Sequence, residues 1–387
     1  MDFRDAPEDA NFRRILRDWL AGELPRLGPA PARLEERVIW WRPWQKRLHE
    51  GGYAGLSWPV EYGGRGASVL QQAIFFEECD RAGAPDRLDV IGAGFAGPTL
   101  IEYGTESQKK RFLDRILTGE DLWCQLFSEP GAGSDLAALK TRAVRGDGGW
   151  HIHGQKVWTS AAQIADYAIL LARTGEGDRH RGISFFILPI RQKGVEVRPL
   201  RQMLGSAEFN EVFLDGAFVH DDLLVGKRDE GWKVAMSTLG YERAAIATGR
   251  VNTLRLLDEL IALVRESPGG APLAADSAVR QKVAELYSRM ILQRLTGKRI
   301  LTGLAAGAPG PEASTAKLFT TPLVEEVCDF ALSLIGIEGQ MEPAEASPER
   351  AKWLRLAYQA RGTSIAGGTT FVQRNILAER VLQMPRG

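Results

Sequence analysis

Trp150-His151-Ile152-His153-Gly154-Gln155-Lys156-Val157-Trp158-Thr159-Ser160 is where the chain changes its hydrophobic period. Aromatic and branched residues interrupted by a glycine are the pattern of a strand, not of a helix. The same texture returns at 167–172, 184–188, 195–197 and 209–214, with Gly, Asp and Pro between the runs. Many short strands without intervening helices predict a small antiparallel barrel or sandwich over residues 123–235. On either side the period is helical. Phe12, Ile15, Leu16, Trp19 and Leu20 recur at helix spacing, and 69–80 carries an apolar face. Thr105 or Ser107 is placed to cap a helix bearing Phe112, Leu113, Ile116 and Leu117. Residues 245–264, 279–304, 316–334 and 351–365 predict long helices, whose simplest assembly is a bundle. The expected class is α+β in three domains: residues 1–122 helical, 123–235 β, 236–387 helical.

The 387 residues are enough for more than one core. Lys plus Arg and Asp plus Glu both number 49, so the formal charge is zero, and the basic excess of a nucleic-acid binder is missing. No uninterrupted apolar run is long enough to span a bilayer. The opening Met1-Asp2-Phe3-Arg4-Asp5 has no secretory apolar region, so a cytoplasmic enzyme is expected. Cys79, Cys124 and Cys328 are odd in number and far apart, which argues against a disulfide scaffold and against a Cys-rich metal site. No metal centre is expected.

Gly92-Ala93-Gly94-Phe95-Ala96-Gly97 matches the GxGxxG dinucleotide pattern literally. Pro98 follows it and no βαβ succession surrounds it, so it reads as a helix connection or a close helix contact. Ser128-Glu129-Pro130-Gly131-Ala132-Gly133-Ser134-Asp135 joins the first helical region to the β region. It suits a tight turn; composition leaves open whether its N–H groups also cradle an anion or a ring carbonyl. Trp158 is either a core residue or an indole stacked on a planar cofactor with a hydroxyl beside it. Glu242-Arg243 reads either as an ion pair at a helix start or as a carboxylate in a dry pocket, where desolvation raises its pKa and suits it to proton abstraction. Gly367-Gly368-Thr369-Thr370 precedes a helix start that is either a plain cap or a phosphate site.

In this order and at these separations, the motifs resemble the acyl-CoA dehydrogenase family of flavoenzymes over nearly the whole chain. Ser128 to Asp135 carries the resemblance most strongly, then Gly154 to Ser160, then Gly368-Thr369 with Gln373-Arg374-Asn375 and Ala378-Glu379-Arg380. The resemblance implies an N-terminal helical domain, a middle β-barrel domain and a C-terminal four-helix bundle. It implies noncovalent FAD and an acyl-CoA substrate. A carboxylate would take the Cα proton while hydride leaves Cβ for the flavin, giving a trans-2-enoyl-CoA, with electrons passed to an electron-transfer flavoprotein. Carried over by position, Leu126, Phe127 and Ser128 line the flavin ring. Gly133 and Ser134 lie near its phosphate or the thioester, and Trp158 and Ser160 pack on the ring. Gly368 and Thr369 neighbour the pyrophosphate, and Arg243 supports the acyl-CoA site.

Two departures from the commonest pattern matter. Many members carry the base as a Glu directly before the Gly-Thr pair, where this chain has Gly367. A smaller group places the Glu on the helix that starts the third domain, directly before an arginine. Glu242-Arg243 fits that group, so Glu242 is the expected base, with Glu129 and Asp135 as alternative carboxylates. Residues 266–273 also lack the Arg-x-x-Phe-Gly stretch of many members, and Phe371 replaces a polar residue. This pattern is similar to actinobacterial-type members, some of which form α2β2 assemblies acting on steroid side-chain or other bulky CoA esters. A homo-oligomer (dimer or tetramer) is expected, with an α2β2 hetero-oligomer as the alternative. The competing functions are an FAD-poor or noncatalytic subunit and an acyl-CoA oxidase-like flavoenzyme.

Overall fold

The structure is a computed structural model that describes residues 5–31, 33–85, 87, 90–177, 179–247, 253–266, 273–306, 312–341 and 347–385. Five helices come first: α1 (Pro7–Glu23), α2 (Leu34–Glu50), α3 (Val69–Arg81), α4 (Gly97–Tyr103) and α5 (Glu106–Thr118). Thr105 caps α5 in a reciprocal box: its hydroxyl accepts from the Gln108 N–H at 3.2 Å, and the Gln108 side chain accepts from the Thr105 N–H at 3.0 Å. The GxGxxG stretch is no nucleotide loop. Residues 92–96 form a wide π-helical turn that runs directly into α4. The Trp58 indole donates to the Ala93 carbonyl at 2.9 Å, and a Cβ added at Gly97 would overlap the Trp58 ring. The glycine is there to let the indole approach the helix.

Eight strands follow: β1 (Trp123–Leu126), β2 (Arg142–Gly146), β3 (Gly149–Ser160), β4 (Tyr167–Arg173), β5 (Ile183–Pro189), β6 (Val195–Leu200), β7 (Phe209–His220) and β8 (Leu224–Val225). They form one sheet in the order β6-β7-β3-β2-β4-β5-β8, with β1 paired to β4. The sheet is mixed, unlike the purely antiparallel arrangement expected from the short runs. β1 lies parallel to β4, in the register Leu126 to Leu170, and β2 touches β4 in parallel at Arg142 and Arg173. Local alternation fixes that a run is a strand, but not which neighbour it finds. α5 packs on this sheet through Phe112, whose ring lies 5.4 Å from Trp123 and 5.1 Å from Tyr167.

The remaining helices are α6 (Gly231–Ala247), α7 (Thr253–Glu266), α8 (Ser277–Ala305), α9 (Glu312–Ile335), α10 (Pro348–Ile365) and α11 (Thr370–Ile376). The run read as one helix over 245–264 is thus carried by α6 and α7, with 248–252 outside the described residues. α6 begins at Gly231, several residues before the expected start of the third region, and the glycine there lies so close to the Ser184 backbone that a Cβ would overlap it.

The chain divides into two compact units. One comprises residues 18–68 and 84–245 and contains the sheet. The other comprises 1–17, 69–83 and 246–387. Its core joins Leu257 and Leu260 of α7, Leu286 and Met290 of α8, Leu323 and Val327 of α9, and Trp353 of α10 into a four-helix bundle. A change of hydrophobic period marks the class of an element and not its packing partner, so these units are not the three stretches distinguished by period. Charge ties α3 to α1 and α8 within the helical unit. Glu78, 1% exposed, accepts from Arg13 and Arg17, one turn apart on α1, and Glu77 accepts from Arg294 of α8 at 3.1 Å.

The contact between Gly97 and Trp58 gives a direct check. Gly97→Ala is expected to destabilise the protein by about 1–3 kcal/mol in urea unfolding. Gly94→Ala, with open space at the new methyl, is expected to leave the midpoint unchanged or raise it slightly.

Candidate active site

β3 begins with a regular alternation in which Trp150 and Ile152 point into the sheet's core and the intervening residues point out. Lys156 is also inward, opposite Val212 of β7. Strict period two would place Trp158 inward as well. It does not: two residues of β3, Val157 and Trp158, stand against one of β7, and pairing resumes at Thr159 and Asn210. Trp158 takes φ +60°, a left-handed conformation that costs an aromatic residue about 1–3 kcal/mol. The bulge turns the indole outward, 64% exposed, and Thr159 takes the buried position. Phe209 meets the indole edge-on at 6.2 Å. Ser160, the expected hydroxyl partner, is exposed just beyond. Of the two readings of Trp158 the core residue is excluded, since a large apolar side chain is held in water at the expense of backbone strain.

The facing wall is the segment after β1. Leu126 and Phe127 are buried and Ser128 is half-buried. The Ser128 carbonyl accepts from the Val157 N–H at 3.0 Å, which joins this segment to the bulge. Glu129 and Ala132 exchange backbone hydrogen bonds, both at 3.0 Å, around Pro130-Gly131. Gly133 and Ser134 follow, exposed. Gly131 and Gly133 have open space where a Cβ would stand and do not adopt positive φ. Neither packing nor backbone conformation needs a glycine at either position, and their effect is to leave main chain uncovered.

Below this wall lies a feature that the sequence reading passed over. Lys156 has no solvent exposure. Its ammonium donates to Glu129 Oε1 at 2.9 Å and to the Phe127 carbonyl at 3.0 Å. Glu129 also accepts from the Thr141 N–H at 2.9 Å and from the Lys140 N–H at 2.6 Å. Burial alone would raise the Glu129 carboxyl, but the ammonium and the two amides outweigh it and hold the group below its ordinary value. Burial pulls Lys156 down to about 8, with Glu129 opposing it. Buried, with both carboxylate oxygens engaged by the ammonium and two backbone amides, Glu129 is no candidate base. Asp135, the other alternative, is exposed and paired with Arg179 at 3.3 Å.

Glu242 and Arg243 lie on α6, in its fourth turn rather than at its start. Their side chains lie outside the described residues. The helix that carries them is fixed to α4 by a ladder of polar contacts. Thr238 meets Thr99 at 2.8 Å, Ser237 meets Tyr103 at 2.7 Å, and Tyr241 donates to Glu102. Burial and the adjoining carboxylate push the Tyr241 phenol up, so it stays a donor. Glu242 follows Thr238 by one helical turn. Cys124, on β1, is fully buried, and desolvation pushes its thiol up; it is a core residue.

The glycine pair belongs to the helical unit. Gly367 and Gly368 both adopt positive φ, +64° and +90°. Thr369 caps α11 by accepting from the Val372 N–H at 3.3 Å. Lys317 of α9, 9% exposed, donates to the Ala366 and Gly368 carbonyls, and the Gln373 side chain donates to the Gly367 carbonyl at 3.1 Å. Lys317 is a second residue that sequence reasoning missed; a lysine inside a helical period carries no signal of its target.

The strain at Trp158 and the charge below it separate experimentally. Trp158→Gly removes an exposed side chain and relieves the left-handed backbone, so it is expected to change stability by less than about 1 kcal/mol. Glu129→Gln strands a buried ammonium and is expected to cost about 3–5 kcal/mol. The Glu129 carboxyl is depressed in the folded state, so its contribution is complete above the ordinary value of 4.5 and is lost as pH falls through the folded value. Chemical denaturation as a function of pH should show a shallower acid limb in Glu129→Gln than in wild type.

Comparisons with known proteins agree over the whole chain. Models of the acyl-CoA dehydrogenase N-terminal, middle and C-terminal domains match residues 6–120, 124–217 and 229–382. Acyl-CoA dehydrogenase IpdE1 of Mycobacterium tuberculosis is 40% identical over 384 residues, 97% of each chain. Among solved structures, the Tcur3481-Tcur3483 steroid ACAD is 32% identical with a TM-score of 0.87, covering all of both chains. The ChsE4-ChsE5 complex from Mycobacterium tuberculosis is 31% identical with a TM-score of 0.86, again over all of both chains. The strained indole, the bare glycine turn and the three-part helix–sheet–helix architecture thus have a common explanation: the chain belongs to the acyl-CoA dehydrogenase family of FAD-dependent oxidoreductases.

Proposed function

We propose that the protein removes hydrogen across Cα–Cβ of a bulky acyl-CoA thioester, with Glu242 as the base and FAD held against Trp158. The observation that carries the reading is the bulge at Trp158, which spends backbone strain to present an indole to solvent. A planar isoalloxazine fits that surface. Leu126, Phe127 and Ser128 would back the ring, and Ser128 and Ser160 offer hydroxyls to its polar edge. Gly133 and Ser134 offer uncovered backbone, and Gly368 and Thr369 would neighbour the pyrophosphate. Bound FAD supplies the two-electron acceptor that the Cβ hydrogen requires. Glu242 takes the proton from Cα, which a polarised thioester carbonyl acidifies, and Arg243 supports the acyl-CoA from the same helix.

Gly367 leaves no side chain beside the glycine-threonine pair, which suits a branched or polycyclic acyl group. The solved relative named a steroid ACAD, matched end to end, supports the same substrate class. Two of the matched structures carry paired names, one of them titled a complex. That favours assembly with a homologous second chain over a homo-oligomer. Electrons are taken to leave through an electron-transfer flavoprotein.

Anaerobic titration of the purified yellow protein with straight, branched and steroid-derived CoA thioesters is the direct test, with subunit composition measured on the same sample. Bleaching should be fastest with the polycyclic substrates; bleaching confined to straight short chains would refute the substrate class. Glu242→Gln is expected to keep its flavin and lose about 10³-fold or more in bleaching rate, and full activity in that variant would refute the base. Rapid oxygen consumption without an added acceptor would replace the electron-transfer partner by an oxidase reaction.

A further inference from the structure

The bulge at Trp158 is strained, and a strained conformation persists only where its surroundings over-determine it. The residues that hold it are not on the exposed face. Lys156 stands two positions before the indole, inside the sheet, and grips the Phe127 carbonyl and the Glu129 carboxylate. Glu129 stands one position after Ser128 and grips the Lys140 and Thr141 amides. Between these side-chain contacts the main chain is closed by the Val157 N–H to the Ser128 carbonyl. Three segments of the chain are therefore tied at one point: the segment carrying Phe127 and Ser128, the strand carrying Trp158, and the connection into β2. Each side chain of the pair lies within two residues of a residue assigned to the flavin wall, one on each side.

We infer that the buried Glu129–Lys156 pair is a positioning device for the cofactor, fixing the spacing between the Ser128 wall and the Trp158 indole. It rests on the flavin reading given above and adds to it a pair of residues that touch neither cofactor nor substrate. A pair kept only for stability would be replaceable by apolar residues, since buried ion pairs often contribute no more than well-packed side chains of similar volume. The positioning role is not replaceable in that way, because a methionine at 156 fills the space but donates nothing to the Phe127 carbonyl.

That difference supplies the test. The double variant Glu129→Gln/Lys156→Met removes both charges together, so no buried ion is stranded and the fold is retained. Val219→Ala, in β7 at a fully buried site away from the knot, serves as a control that loosens the same sheet. Two quantities are read at a temperature where every variant is fully folded. The first is hydrogen exchange of a peptide covering residues 155–162. The second is the rate of FAD release from the holoenzyme, followed by flavin fluorescence on dilution. The double variant is expected to exchange and to release FAD at least about tenfold faster than wild type, while Val219→Ala changes neither by more than about twofold. Glu129→Gln alone should shift both in the same direction. The inference is overturned if the double variant keeps wild-type FAD release, or if its exchange and release do no more than match those of Val219→Ala. Wild-type protein that carries no flavin would overturn the flavin reading as well, whereas normal flavin content with unchanged release in the double variant overturns this inference alone.

Discussion

A lysine without solvent exposure, two residues before a tryptophan that is mostly exposed, governs the geometry of the middle sheet. β3 has to accommodate both on a strand that otherwise alternates simply. The lysine is tolerated inside because Glu129 supplies the opposite charge and the Phe127 carbonyl accepts a hydrogen bond from another of its N–H groups. The tryptophan is tolerated outside because the extra residue of the bulge reverses the alternation after Lys156. The buried contacts of Lys156 fall on the strand immediately before its backbone turns left-handed. Desolvation of both ions opposes this arrangement, and the mutual charge attraction with the two amides donating to Glu129 offsets it.

The charged cluster of the helical unit has a different weight. Glu78 is as buried as Lys156, and its partner Arg13 is mostly buried, while Arg17 and Arg81 are each about half exposed. Solvent screens the contacts of Arg17 and Arg81, so their worth is that of partly exposed pairs. What they provide is addressing. Arg13 and Arg17 repeat at one helical turn, so α1 can meet Glu78 in one rotational setting only, and Arg294 meets Glu77 from α8. The bundle core of Leu260, Leu286 and Val327 is apolar and specifies little about which helix end goes where.

Much of this was legible in the sequence wherever the signal was local. The capping threonine of α5, the helical spans of α3, α8, α9 and α10, and the refusal of Gly92–Gly97 as a nucleotide loop all follow from residues within a turn of one another. The order of the motifs at 128–135, 154–160 and 368–369 identified the family. What the sequence hid was pairing across distance. Nothing in Gly154-Gln155-Lys156 marks the lysine as inward, because a lysine on a strand is ordinarily read as the exposed member of the alternation. Its partner lies in a motif whose glycines and serines draw attention away from the glutamate. Nor does alternation reveal that Trp158 breaks period, since the bulge is set by the count of residues on β7. The parallel neighbour of β1 and the division of the helices into two units were hidden for the same reason.

The backbone at the C-terminal glycines bears on where a base can stand. Gly367 and Gly368 both occupy positive φ, and their flanking carbonyls are drawn to Lys317 and Gln373. A side chain at 367 would have to adopt the left-handed region in a segment already fixed on both sides, at a cost that a glycine avoids. The segment is thus shaped for close main-chain approach and not for carrying an acid. An α-helix offers the opposite qualities: a fixed Cα–Cβ direction and a rigid support. α6 has that support in the contacts of Thr238, Ser237 and Tyr241 with α4, which lie in the turn leading to Glu242. A group held to a fraction of an ångström needs such a rigid support, and the braced turns of α6 provide it.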